Sequence, residues 1–412
     1  MVSQHLPGKA DNGTALKERR SLTGGSTQSG MRLYNERLVL SLIRSHGALP
    51  KAEIARLTKL SPQTVSVIVR QLEADNLLLK GESLKGKVGQ PLQPFSLNPE
   101  GAFSIGLKVG RRSGDLVLMG LDGVARKTVH QPYKFPTPSA FLDFARNGIF
   151  ELMHSLPEMQ RNRISGLGIA RPFDIWKWEE QAGATHDVLE SWKHFDVQAE
   201  LAKHCPWPVV DCNDATAACA AELLLGRGQR LRDFAYFYVG YFIGGGVVLN
   251  GHLYNGPSGN AGAFASVPVV SQEGQQEQLM RSASLFLLER DLRSAGLDES
   301  MLWKSVEDWR AAGPLLNDWI DRAAHGLTQA AVSVASVIEP AAIIIDGAMP
   351  AAVRHDLVSA VRNRLATFDR EGLSPFEVVE GSIGVHARAM GAASLPLFAN
   401  FMVDQDILFK ST

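Results

Sequence analysis

Ser61-Pro62-Gln63-Thr64-Val65-Ser66 is the stretch on which the reading of this chain turns. Serine is a favoured helix N-cap because its hydroxyl accepts a backbone N–H that the first turn leaves without a partner. Proline suits the first helical position, which needs no N–H. A helix is therefore expected to start at Pro62. Val65, Ile68 and Leu72 then recur at helical spacing and form an apolar stripe. Gln63, Thr64, Ser66 and Arg70 fall on or near the outer face, where polar and basic side chains can meet base edges or phosphates. Upstream, Leu33, Val39, Leu40, Leu42 and Ile43 stripe a longer helix ending at Gly47. Lys51–Thr58 reads as a short second helix with Ile54 and Leu57 turned inward. Three helices, the last led by an exposed polar face, predict a helix-turn-helix whose final helix enters the major groove with its N-terminal residues leading.

Leu77-Leu78-Leu79 follows, and then Lys80-Gly81-Glu82-Ser83-Leu84-Lys85-Gly86-Lys87-Val88-Gly89-Gln90-Pro91. An apolar run before a basic, glycine-rich stretch predicts a β-hairpin. Glycines let the backbone approach a groove, and Lys85 and Lys87 can neutralise phosphates. Directly after three helices the hairpin reads as a wing; the alternative is a small helical bundle with a surface hairpin. Residues 31–97 are thus expected to form a winged helix-turn-helix, with Ser61, Gln63, Thr64, Ser66, Arg70, Lys85, Lys87 and Gln90 facing double-stranded DNA. Residues 1–30 are rich in Gly, Ser, Thr, Lys and Arg and have little to bury. They are expected to be a disordered basic arm, either a plain terminus or a source of added phosphate contacts.

Charge is distributed unevenly. Residues 1–100 carry 14 Lys+Arg against 8 Asp+Glu, a net of +6, and the remainder carries 28 against 35, a net of −7, giving the whole chain −1. Such asymmetry fits a nucleic-acid-binding end. The 412 residues suffice for two or three domains with real cores. Cys205, Cys212 and Cys219 form no C-x-x-C pair, so neither a zinc knuckle nor a redox pair is read. Residues 1–30 lack the apolar core of a signal peptide, and Glu339 and Pro340 interrupt the apolar stretch from Ala330 to Ile345. A cytoplasmic protein without membrane partners is expected.

Residues 98–412 form the body. Ile105–Val109, Leu116–Leu121, Ile164–Ala170, Val209–Asp211, Phe234–Val239, Gly245–Leu249 and Ala342–Ile345 read as short strands. Asp214–Leu225, Leu315–Ile338 and Ala351–Leu365 read as helices between several of them. Strands alternating with helices predict an α/β architecture. On Leu315–Ile338, Trp319, Ile320, Leu327 and Val334 are expected to serve a core or a dimer contact. His186, His204 and His325 lack partners at metal spacing and read as surface or packing residues. No internal sequence repeat is visible.

Several ordered motifs of this body resemble the ROK family (repressors, open reading frames and sugar kinases), in particular its transcriptional-regulator branch, similar to xylose and N-acetylglucosamine repressors. They are Ile105–Gly110 followed by Leu116–Gly123, Gly166-Leu167-Gly168-Ile169, Trp192 and Asp211-Cys212-Asn213-Asp214-Ala215. Gly244-Gly245-Gly246-Val247-Val248-Leu249-Asn250-Gly251, Asn260-Ala261-Gly262, Pro340–Gly347 and Gly391-Ala392-Ala393 follow. The resemblance runs from about Arg32 to Leu397. It implies a two-lobed actin-like fold with a sugar in the cleft, and homodimers or homotetramers that pair two winged helices on a near-palindromic operator.

The same resemblance allows the chemistry to be tested by residue. Family kinases carry an aspartate of a D-x-G turn where this chain has Lys108, and a cation there repels the divalent ion that phosphoryl transfer requires. Lys108, Arg111 or Arg112 could hold an anion, although the two arginines read more simply as solvated. The second phosphate turn, G-T-G-x-G-G-G in the family, is Gly240-Tyr241-Phe242-Ile243-Gly244-Gly245-Gly246 here, with bulk where a phosphate approaches the backbone. Asn213-Asp214 is retained; the resemblance gives it the sugar, and the bland reading makes Asp214 a helix cap. The sugar-gripping glutamate of A-G-E-x-G-H falls on Ala263, and the histidine that binds sugar and zinc falls on Ser266. The zinc loop corresponds to Ser271–Met280, which holds no cysteine, so neither zinc nor any other cofactor is expected. The implied effector residues are Asn213, Asp214, Gly245, Gly246, Asn260 and Gly262.

The expected function is a DNA-binding regulator, not an enzyme: a repressor of carbohydrate uptake or catabolism genes responding to a sugar or sugar derivative. The alternatives are an ATP-dependent sugar kinase that kept a DNA module, or a regulator of this family controlled by a protein partner.

Overall fold

A computed structural model describes residues 28–83, 92–172, 186–304 and 308–403. Two compact units divide it: residues up to Leu97 together with Phe401–Val403, and the residues from Asn98 to Asn400.

In the first unit α1 (Gln28–His46) is followed by β1 (Leu49–Pro50), α2 (Lys51–Thr58) and α3 (Pro62–Ala74). Then come β2 (Leu78–Lys80) and β3 (Pro94–Leu97), in a sheet of order β1-β3-β2. The three helices pack on one another through Val39, Leu40, Ile43, Ile54, Val65, Ile68, Val69 and Leu72, all buried. Lys59, in the left-handed region at φ 56°, ends α2 and turns the chain into α3. β2 and β3 pair antiparallel, Leu78 opposite Leu97, as the stem of the expected hairpin. Its expected tip residues Lys85, Lys87 and Gln90 lie outside the described residues, as does the arm before Gln28. At the far end of the chain, the Val403 N–H donates to Ser41 Oγ of α1 at 3.0 Å.

The second unit holds two sheets of one design. The first runs β6-β5-β4-β7-β8, from β4 (Phe103–Val109), β5 (Ser113–Gly120), β6 (Ala125–Pro132), β7 (Ile164–Arg171) and β8 (Val209–Asn213). The second runs β11-β10-β9-β14-β15, from β9 (Phe234–Val239), β10 (Ile243–Leu249), β11 (His252–Tyr254), β14 (Ala342–Gly347) and β15 (Glu377–Glu380). β12 (Pro268–Val270) and β13 (Gln276–Gln278) form a separate hairpin. In each five-stranded sheet an antiparallel meander of three strands is extended by two parallel strands. This repeated α/β plan is the two-lobed actin-like architecture that the family resemblance implied.

Helices fill the space around the sheets. α4 (Pro138–His154) covers the first with Phe141, Phe144 and Leu152. α6 (Leu285–Ser294), α7 (Pro314–Ile338) and α8 (Ala351–Thr367) cover the second, and Trp319, Ile320 and Leu327 of α7 sit in its core, with Val334 partly buried beside them. α5 (Asp214–Leu225) and α9 (Ala387–Phe401) owe their position to small residues. A Cβ on Gly391 would strike the Ala217 carbonyl of α5, and one on Gly168 of β7 would strike the Ala392 carbonyl of α9. Only glycine allows backbones to approach this closely. Cys219 of α5 is buried against Gly246 of β10, and burial pushes its thiol pKa up. No described helix is long and apolar enough to cross a membrane.

Candidate nucleic-acid interface and effector cleft

The expected cap at the start of α3 forms. Ser61 is extended, and its Oγ accepts the Thr64 N–H at 3.1 Å and lies 2.8 Å from Thr64 Oγ1. Ser61 and Thr64 therefore spend hydrogen-bonding capacity on each other at the helix tip. Gln63 and Arg70 are exposed and Ser66 is partly exposed, while Val65, Ile68, Val69 and Leu72 are buried. The helix thus presents Gln63, Ser66 and Arg70 on the face opposite its core stripe. Val67 shares that outer face at 56% exposure and was not anticipated. Its position three residues before Arg70 and four after Gln63 was the available signal.

In the body, Lys108 is the penultimate residue of β4, and after Val109 a tight turn leads into β5, with the Gly110 N–H donating to Ser113 O at 3.0 Å. Lys108 is 5% exposed. Its Nζ donates to Ser113 Oγ at 2.7 Å and to Asp115 Oδ2 at 2.5 Å. Asp115 Oδ1 in turn meets His130 Nδ1 at 2.5 Å across the β5–β6 pairing. Burial lowers the Lys108 pKa against the pull of Asp115, and Arg388 lowers it further. Burial also works to raise the Asp115 pKa, but Lys108 and His130 prevail and hold it well below the usual carboxylate range. The side chain of Lys108 folds over Gly110, where a Cβ would collide with it.

The expectation that Arg111 and Arg112 are solvated is corrected. Arg111 is 3% exposed, with its guanidinium 4.6 Å from the ring centre of Tyr241 and 5.0 Å from that of Phe135. Burial lowers its pKa, partly opposed by Tyr241. Arg112 makes a two-pronged pair with Glu289 of α6 and donates to Lys134 O at 2.5 Å. Trp303 Nε1 donates to the same Glu289 at 2.8 Å. Planar guanidinium groups suit such sites because they stack on rings and grip carboxylates with two donors. The turn after β4 in one lobe is thereby joined to the turn after β9 and to α6 in the other. Tyr241, the residue that the family resemblance placed in the second phosphate turn, is where the stack forms.

Asn213 and Asp214 divide the work differently from the capping expectation. Asn213, not Asp214, caps α5, and its Oδ1 accepts the N–H groups of Ala215 at 3.0 Å and Thr216 at 3.2 Å. The capping reading of Asp214 is therefore corrected. Asp214 is the first helical residue, and its Oδ2 accepts from Arg388 NH1 of α9 at 3.1 Å. Arg388 lies over the Tyr238 ring at 5.0 Å. Burial works to lower its pKa, but Tyr238, Asp214 and Asp115 raise it on balance. Gly245, Gly246 and Gly262 are brought together: Gly262 has φ +81°, and a Cβ there would press into the backbone of Gly245 and Gly246. Asn260, Ala263 and Ser266 are exposed.

A cavity of about 530 Å³ opens beside this cluster, lined by Lys108, Arg112, Asp115, Tyr241, Trp303 and Arg388 among others. None of Asn213, Asp214, Gly245, Gly246, Asn260 or Gly262 lines it; Asp214 reaches its wall through Arg388. Arg388 and Glu289 escaped the sequence reading. A lone arginine opening a helix of small residues, and a glutamate within the apolar Leu285–Leu292 run, were the faint signals. Trp192 is a packing residue, with Nε1 donating to Pro136 O at 2.8 Å. His325 Nε2 lies 2.9 Å from Val270 O, and His204 is exposed. The side chain of His186 lies outside the described residues. Among the described residues no group of three His, Cys, Asp or Glu could hold a metal ion.

Comparison with known proteins agrees with this geometry. Residues 32–78 match the pattern described as winged helix-turn-helix DNA-binding. Protein y4fQ of Sinorhizobium fredii is 26% identical over 375 residues, 89% of this chain and 91% of its own length. The xylose repressor of Bacillus spizizenii is 25% identical over 59% of this chain and 62% of its own. The DNA-binding transcriptional dual regulator NagC of Escherichia coli is 23% identical over 60% and 61%. The matches to these two regulators thus span less than two thirds of their own length. A crystal structure of a ROK family transcriptional regulator, a homologue of the Escherichia coli MLC protein, shares the fold at TM-score 0.65 and 20% identity, over 90% of this chain and 98% of that one. A ROK glucokinase from Streptomyces griseus, solved with glucose and AMPPNP, does so at TM-score 0.56 and 19% identity, over 71% of this chain and 99% of its own. The ROK family pattern itself matches residues 104–397, more than half of the chain, and the chain belongs to the ROK family.

Proposed function

We propose that this chain is a sequence-specific transcriptional regulator, a repressor of genes for carbohydrate uptake or catabolism. Its hold on DNA is set by a sugar or sugar derivative in the cleft of the ROK body. The observation that carries the reading is the joining of a winged helix-turn-helix to a ROK body whose phosphate-side turn is filled by its own side chains. Arg111 stacks on Tyr241 where a nucleotide phosphate would need open backbone. Lys108 stands where family kinases carry an aspartate. A relative named as a xylose repressor and one named as a DNA-binding transcriptional dual regulator support the same reading.

On this reading Gln63, Ser66 and Arg70 face the major groove, Ser61 and Thr64 hold the helix tip against the phosphates, and Lys85, Lys87 and Gln90 belong to the wing. Asn213, Asp214, Gly245, Gly246, Asn260 and Gly262 border the effector. The protein works in the cytoplasm as a homodimer or homotetramer, because paired half-sites demand paired helices. Regulation requires the effector to prefer one of two states that differ in DNA affinity.

One observation favours a second reading, a sugar kinase: the retained Asp214, which would act as general base. Its carboxylate is engaged by Arg388, which works against that role. The experiment is a binding titration of the full-length protein on duplexes from upstream of its own and neighbouring genes, compared with Gln63→Ala/Arg70→Ala. Salt-sensitive, sequence-preferring binding, weakened at least tenfold in the double variant without loss of folding, is expected. No binding to any duplex, together with ATP turnover abolished by Asp214→Asn, would replace this reading with the kinase.

A further inference from the structure

Val67 stands out on the recognition helix. Among the described residues it is the one large apolar side chain of α3 left exposed, at 56%. The core does not use it, because Val65, Ile68, Val69 and Leu72 point to the other side. The helix does not need it either, since a β-branched residue is a poorer helix former than alanine or any straight-chain polar residue. Its neighbours on the outer face are Gln63, Ser66 and Arg70, all able to hydrogen-bond. Such neighbours read donors and acceptors. In the major groove only thymine adds an apolar group, its C5-methyl, to that pattern. Val67 lies in the second helical turn, just behind the leading residues, where a helix in the groove still reaches base edges.

We propose that Val67 reads a thymine C5-methyl in the bound DNA and so sets base preference at one position of the recognition sequence. The proposal rests on the DNA-binding reading above and deepens it. Gln63 and Arg70 supply hydrogen bonds and phosphate anchoring, and Val67 supplies the apolar contact that separates thymine from cytosine or uracil.

The test uses the full-length protein and duplexes it selects from a random-sequence pool. Each thymine of the selected site is replaced in turn by uracil, which removes the methyl and leaves every hydrogen-bonding group in place. At one thymine per bound helix, uracil should weaken wild-type binding about fourfold, the value of one buried methyl group. Val67→Ala should bind the thymine duplex about as weakly as wild type binds the uracil duplex, and should show no further loss on uracil. Val67→Ile should keep the thymine preference. Because alanine favours helix more than valine, Val67→Ala should fold normally. Three results would overturn the proposal: no thymine sensitive to uracil, a uracil effect of the same size in Val67→Ala, or a Val67→Ala protein that binds DNA as wild type but changes oligomeric state. If no sequence is enriched from the pool, the DNA-binding reading fails and this contact with it.

Discussion

Lys108 is a cation with almost no access to water, and Asp115 is what makes it tolerable. A buried charge left without its partner costs several kilocalories per mole, whereas removing both charges together is often neutral. Asp115→Asn should therefore lower the stability of the body by about 3 kcal/mol, and Lys108→Met/Asp115→Asn should recover most of it, as read by urea unfolding. The pH dependence has a definite sign. The Asp115 pKa is depressed in the folded state, so its contribution is full above the ordinary carboxylate pKa of about 4 and is lost as pH falls below it. The single variant should consequently show a flatter acid limb below about pH 4 than the wild type. Residue identity at this position was legible from the D-x-G resemblance. Its partners were not, because Asp115 meets Lys108, and His130 meets Asp115, through strand pairing that residue spacing does not encode.

At the scale of elements, the crossing of α5 and α9 depends on Gly391. A larger side chain there meets the carbonyl of Ala217, which is backbone and cannot swing aside. Gly391→Val should cost about 3 kcal/mol or more and should loosen the Arg388–Asp214 pair that the crossing holds in place, visible as a lowered thermal midpoint of the body. α3 was readable almost to the residue, since the Ser61-Pro62 start and the Val65, Ile68, Leu72 stripe are both local signals. β6 and α4 were not read. β6 is an edge strand, largely polar and half exposed, so it lacks the apolar run that marked β4 and β9. The capping alternative gave the cap of α5 to the wrong neighbour. Asn and Asp cap equally well, and only the position where the helix begins chooses between them.

At the scale of the whole molecule, the body repeats one sheet plan twice, and the sequence gives no sign of it. What the two halves share is the order of hydrogen-bonded strands, and many side-chain sets satisfy that order. The α/β class, the order of the modules and the ROK resemblance were all legible, because buried parallel strands and glycine turns restrict residue choice strongly. The candidate site was legible only in part. The residues that line the cavity converge from both lobes, and the Arg111–Tyr241 stack joins positions 130 residues apart in the chain. No spacing rule links such a pair. The stack is nevertheless the feature of the body on which the proposed reading leans most, and with the winged helix it directs the account to regulated DNA binding.

The central claim is that cleft occupancy and DNA affinity are coupled. The most direct measurement is fluorescence anisotropy of the full-length protein on its selected duplex, repeated across a panel of sugars, polyols and phosphosugars. The account predicts that at least one compound shifts the DNA dissociation constant by tenfold or more, and that Asp214→Ala abolishes the shift while leaving compound-free DNA binding intact. A dissociation constant unchanged by every compound would contradict it and would favour control by a protein partner.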